Sequence, residues 1–129
     1  MSRGFEIRRQ CPDCPWRTDA PPGAFPASRY EDLFRSCVAE EGAIMACHHT
    51  SEGAEAACVG FLAAEGENLA LPRLMRSQGE WDPAELELAP CPQYETFEAM
   101  AAANGADVDR QIACHNKLPL LYALRRVAR

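Results

Sequence analysis

The chain has 129 residues, 47% of them hydrophobic and 25% charged, with a net charge of −6. That balance describes one soluble domain with a modest core, and no apolar run approaches the roughly 18 residues of a membrane span. Residues 1–17 carry +2 and residues 107–129 carry +3, leaving −11 between them, so the middle repels phosphate backbones and only the basic ends suit nucleic acid.

The first nine residues are mixed in charge and hold no apolar segment, so a cytoplasmic, reducing location is expected. Seven cysteines in such a setting read as metal ligands plus buried thiols rather than as disulfides.

Taken in order, residues 4–10 alternate weakly and suggest a short strand leading into Cys11-Pro-Asp-Cys14-Pro-Trp-Arg17. Two thiols three residues apart share one tight turn, as in the knuckle of zinc ribbons, and the prolines stiffen it. Trp16 is expected to cover the site. Pro21, Pro22, Gly23 and Pro26 mark a loop. Ser28 and Glu31 then fit a capping box, opening a helix through Tyr30, Leu33, Phe34 and Val38 that stops at Gly42. Cys37 lies beside its apolar stripe and reads as a core thiol.

Ala43–Cys47 is a short apolar run, expected as a buried strand that delivers Cys47 and His48 to the knuckle. Residues 56–64 read as a helix ending at Gly66, with Cys58 in its first turn. Gly60 inside that helix costs about 1 kcal/mol against Ala, which predicts a close approach by another backbone or by the metal loop. A helix follows with Asn68 or Leu71 as cap, with Leu71, Leu74 and Met75 as its apolar side and Gly79 as its end. Asp82-Pro83 opens a short helical stretch, and Pro90-Cys91-Pro92 forms a corner. Residues 93–104 predict a helix presenting Tyr94, Phe97, Met100 and Ala101, stopped by Gly105. One or two helices are expected in 107–129, the last opening at Pro119.

The fold class expected is mostly α, a small α+β domain at most. It is a single compact unit of several short helices around a cysteine-rich metal site, with at most a small sheet. Residues 1–106 form the metal-binding part, and 107–129 a basic helical tail packed on it or extending from it.

The economical ligand set is Cys11, Cys14, Cys47 and Cys58, with His48 as the alternative to Cys47. Adjacent residues rarely both reach one ion. Zinc is the expected metal, and a [4Fe–4S] cluster is the alternative that four thiolates also permit. A closed thiolate site argues for a structural role, since catalytic zinc keeps an open position. The zinc-deaminase pattern is absent, because no His-x-Glu occurs and the cysteine pair comes first. His49 is expected to face solvent. Cys91, Cys114 and His115 are read as buried thiols and an ordinary histidine rather than a second site.

Taken together, Cys11-Pro-Asp-Cys14-Pro-Trp-Arg17-Thr-Asp19, Met45-Ala-Cys47-His48 and Cys58-Val-Gly60-Phe61-Leu-Ala63 resemble a family of bacteria and their phages, domain of unknown function 6283. Asn68, Arg73-Leu74 and Gly79 fall in keeping with it, and the motifs span about residue 10 to residue 105. Phe61 departs from the tryptophan usual there. The resemblance implies a shared Cys/His constellation and no established activity. With the charge pattern, it leads to the expectation of a non-enzymatic zinc protein that binds another macromolecule. A basic nucleic-acid-handling protein is the natural partner, and a phage-encoded inhibitor of a host defence nuclease is one instance. The alternative is an iron–sulfur or zinc-dependent enzyme or redox protein.

Overall fold

Pro26 ends the proline-rich loop in an extended conformation, and its carbonyl accepts the Arg29 amide at 2.9 Å. The first helix, α1 (Ala27–Phe34), therefore starts one residue before Ser28, and no side chain caps it. The capping box predicted at Ser28 and Glu31 does not form. The Glu31 carboxylate instead accepts the amide of Asp107 at 3.0 Å. Tyr30 and Phe34 point into the core, and a π-helical turn, Arg35–Ala39, continues the helix and buries Cys37.

The computed structural model describes residues 4–23, 25–39, 43–51 and 53–108. Gly42, Cys114, His115 and all but the first two residues of 107–129, where one or two helices are expected, lie outside the described residues.

The second helix, α2 (Val59–Glu65), begins three residues later than its sequence suggests, because Ala56 and Ala57 are used in pairing. The Cys47 amide donates to Ala56 at 2.7 Å and the Cys58 amide to Met45 at 2.8 Å, closing an antiparallel bridge between Ala46 and Ala57. Ala43–Cys47 is thus extended, but it pairs through one bridge rather than as a strand. The same holds for residues 4–10, where Arg9 bridges Glu87 in parallel. Among the described residues no sheet forms, and the fold is mostly α.

Gly66 does not end α2 through a left-handed conformation; it leads into a 3-10 turn, Gly66–Asn68. A Cβ there would lie 2.9 Å from the Trp81 ring, so glycine is required by that close approach. Trp81 in turn meets Phe5 edge-on at 6.0 Å.

The third helix, α3 (Ala70–Ser77), buries Leu69, Pro72 and Met75, at spacing i, i+3, i+6. Leu71 and Leu74 were expected on its apolar side, yet they are 39% and 51% exposed. The helix starts at Ala70 with Leu69 as its cap, and that start sets which stripe faces inward. Gly79 ends it at φ +73, the left-handed conformation that favours glycine. Asp82 caps the following short turn, its carboxylate accepting the Ala84 amide at 2.9 Å.

The fourth helix, α4 (Phe97–Ala103), starts four residues after Gln93. Gln93 and Tyr94 are held elsewhere: Gln93 bridges Arg17, and the Tyr94 amide donates to Trp16 at 3.0 Å. Thr96 is the cap, its hydroxyl accepting the Ala99 amide at 3.1 Å. α4 packs on both α1 and α2, and Phe97, Met100 and Ala101 are fully buried.

One buried carboxylate locks α2 to α4. Glu65 is 1% exposed, and it accepts the Phe97 amide at 2.9 Å and the Asn68 side-chain amide at 3.2 Å. The Phe97 amide is a first-turn donor with no partner inside its own helix. Glu65→Ala should cost about 1–3 kcal/mol by stranding these donors, and Glu65→Gln, which keeps an acceptor, should cost less. Urea denaturation of the two variants checks this.

A candidate metal centre at the knuckle

The knuckle turn is built by backbone bonds. The Cys14 amide donates to Cys11 at 3.3 Å and the Arg17 amide to Cys14 at 3.1 Å. Cys14 is buried at 1% exposure and Trp16 at 0%, so the turn is pulled into the core rather than hung from it. The indole meets Phe61 edge-on at 6.1 Å and Phe97 at 5.5 Å, tying the knuckle to α2 and α4. Gln10 braces it from the other side. Its amide and that of Gln93 exchange reciprocal hydrogen bonds at 2.7 and 2.9 Å.

Cys58 is the residue at the N-cap of α2, one position before the first turn in which it was expected. Its sulfur lies 3.7 Å from that of Cys14. Cys11 lies close enough to Cys14 and Cys47 for their charges to act on it. All four cysteines are unpaired by disulfide.

The thiols act on one another strongly. The Cys58 thiol donates to Cys14 and, with the amides of Trp16 and Gly60 and the Gln10 side chain, holds Cys14 down at about 6 despite burial. Cys58 itself is driven well up, first by that shared proton and then by burial. Cys11 is pushed up to about 12 by burial and by the charges of Cys14 and Cys47. Cys11, Cys14 and Cys58 therefore resist ionising together. A divalent cation removes that conflict, since coordinated thiols are deprotonated outright.

Gly60 explains how the sulfurs fit. A Cβ there would lie 2.5 Å from Trp16 Cβ and 2.9 Å from Cys14 Sγ, so the knuckle loop makes the predicted close approach. Gly60→Ala should cost about 1–3 kcal/mol through overpacking and shift Cys14. A lowered denaturation midpoint together with an altered cobalt-substituted spectrum is the expected result.

A second set of donors sits on the outer side. Cys11, Asp13, His48 and His49 have ligand atoms that all lie within 4.8 Å of one another, and this group could hold a metal ion. A turn closed by the Thr50 amide and hydroxyl on the Cys47 carbonyl, at 3.0 and 2.7 Å, carries both histidines. Their Nε2 atoms approach Asp13 Oδ1 at 3.2 Å from His48 and 2.5 Å from His49. Hydrogen bonding from His49, and then from His48, holds the Asp13 carboxyl down at about 2.

Cys47 and His48 thus diverge, Cys47 buried at 7% exposure and His48 toward Asp13 beside Cys11. His49 is half-exposed, but it does not simply face solvent. Asp13 and His49 were missed from sequence; an aspartate inside the Cys-x-x-Cys turn and a His-His pair were the available signals.

Cys37 is 1% exposed within the core cluster, as expected, with its thiol pushed up to about 11 by burial. Cys91 is half-buried at the corner. No helix among the described residues is long and apolar enough to cross a membrane.

Fold and site together define a mostly helical single domain with a Cys/His group able to hold a metal. The chain belongs to a family of unknown function (DUF6283), whose model matches residues 6–125. The match takes in most of the basic segment after residue 106, which the motifs alone leave outside. No curated protein and no solved structure matched the chain.

Proposed function

We propose that this protein is a zinc-stabilised domain in which Cys11, Cys14, Cys47 and Cys58 hold a structural ion. The observation that carries this is the 3.7 Å separation of the Cys14 and Cys58 sulfurs. Zinc–sulfur bonds of about 2.3 Å in a tetrahedron put sulfurs about 3.8 Å apart. The donor set fits. Soft thiolates select zinc, and the Trp16 and Gly60 amides and the Gln10 side chain already face the Cys14 sulfur.

Such an ion would join the knuckle, the 43–47 segment and the start of α2. Among the described residues a single bridge, Ala46 to Ala57, joins the last two, and no bridge ties the knuckle to either. With four sulfur donors the ion has no open position for water, so its contribution is to folding rather than to catalysis.

The function then lies in the surface the ion maintains. The acidic middle of the chain suits a basic partner, such as a nucleic-acid-handling protein. A phage-encoded inhibitor covering the nucleic-acid face of a host defence nuclease is one instance of that chemistry. Residues 107–129 carry the opposite net charge, +3.

Chelation tests the structural half. Stripping metal from the reduced protein should abolish its helical circular dichroism, and zinc should restore it. Unchanged helicity after complete stripping contradicts the reading. Binding to a basic partner should weaken steeply with salt, and salt-independent binding would argue against the electrostatic half.

A further inference from the structure

The outer donor group is not used by the structural reading, apart from Cys11. We infer that Asp13, His48 and His49 form a second, surface-facing divalent-metal site that shares the Cys11 sulfur with the inner ion. Three observations carry it. The two imidazole Nε2 atoms converge on a single carboxylate oxygen, at 3.2 and 2.5 Å. The four ligand atoms lie within 4.8 Å of one another, and donors bound to one zinc at about 2.0–2.3 Å lie about 3.3–3.8 Å apart in a tetrahedron, so small side-chain shifts complete the shell. The ring of His48 is also braced, edge-on to Phe25 at 5.6 Å, while the His49 ring lies tilted against it with centroids 4.3 Å apart.

Adjacent residues normally diverge, as Cys47 and His48 do. The turn closed on the Cys47 carbonyl is what brings His48 and His49 over the same aspartate. Imidazole, carboxylate and thiolate together suit zinc or cobalt rather than magnesium or calcium. The Asp13 and His49 side chains are 55% and 53% exposed, so the outer ion exchanges with solution while the inner, buried one is retained. The inference depends on the structural-zinc reading only through the shared Cys11 sulfur.

The test is anaerobic titration of the full chain with cobalt and with zinc, with stoichiometry read by native mass spectrometry. Wild type should bind two equivalents, the second of which is removed by brief dialysis against a mild chelator. Asp13→Asn with His49→Ala changes only exposed side chains and should bind one equivalent, with its sulfur-to-cobalt absorption retained. A single equivalent for wild type under excess metal overturns the inference, as does a second equivalent that persists in the double variant. The inner reading fails separately. Should Cys14→Ser/Cys58→Ser keep one equivalent that Asp13→Asn/His49→Ala removes, the outer site stands and the cysteine site falls.

Discussion

Cys14→Ser is expected to lose the inner metal and with it the cooperative fold. Structural zinc contributes on the order of 10 kcal/mol to a small domain, while net stability is about 5–15 kcal/mol. Removing the ion therefore consumes most of the margin. Among the proposed ligands Cys14 is the most consequential to change, because it is only 1% exposed. It also accepts a hydrogen bond from the Cys58 thiol, and it receives the Trp16 and Gly60 amides and the Gln10 side chain. Serine leaves these donors facing a harder, shorter group. Cys37→Ala is the contrast. That thiol is equally buried but sits in the core beyond the four ligands, so the variant should keep its metal and lose only a little stability. Metal analysis and circular dichroism of the two variants check both expectations, and a folded, metal-loaded Cys14→Ser protein would refute the first.

Trp16→Ala should destabilise the metal-loaded protein by about 3–5 kcal/mol, the range for emptying a buried aromatic site. The indole has no exposed surface, and it meets two rings edge-on, Phe61 of α2 and Phe97 of α4. Its backbone works as well, accepting the Tyr94 amide and donating to the Cys14 sulfur. Those bonds survive the substitution, so the metal should stay bound while the packing between knuckle and helices fails. Guanidinium denaturation of zinc-loaded protein gives the number. A loss under 1 kcal/mol would mean that the knuckle is held by its ion alone.

Much of this was legible in the residues. Glycines and capping residues placed the helix ends well where a local rule decides them, as at Gly79, Asp82 and Gly105. Helix starts were read too early wherever the backbone was claimed from a distance. Ala56 and Ala57 pair with the 45–47 segment, and Gln93 and Tyr94 pair with the knuckle, so α2 and α4 begin late. No local pattern carries that information. The same limit hid Glu65, whose role depends on the Phe97 amide 32 positions away.

At the site, residue type outran geometry. Cys11 and Cys14 stand out because thiols in a proline-stiffened turn have few other uses, and the structure brings the Cys14 and Cys58 sulfurs to 3.7 Å. Their approach through Gly60 was signalled by a glycine where a helix disfavours one. The outer group was harder to see, since it depends on a turn folding His48 and His49 onto Asp13, a residue 36 positions from His49.

The most direct measurement is the metal content of anaerobically purified protein, combined with X-ray absorption at the metal edge. At least one zinc per chain, with a sulfur shell at about 2.3 Å, is the predicted result. Iron with visible absorption would replace a structural ion with a redox cluster. A folded chain that carries no metal would contradict the account at its root.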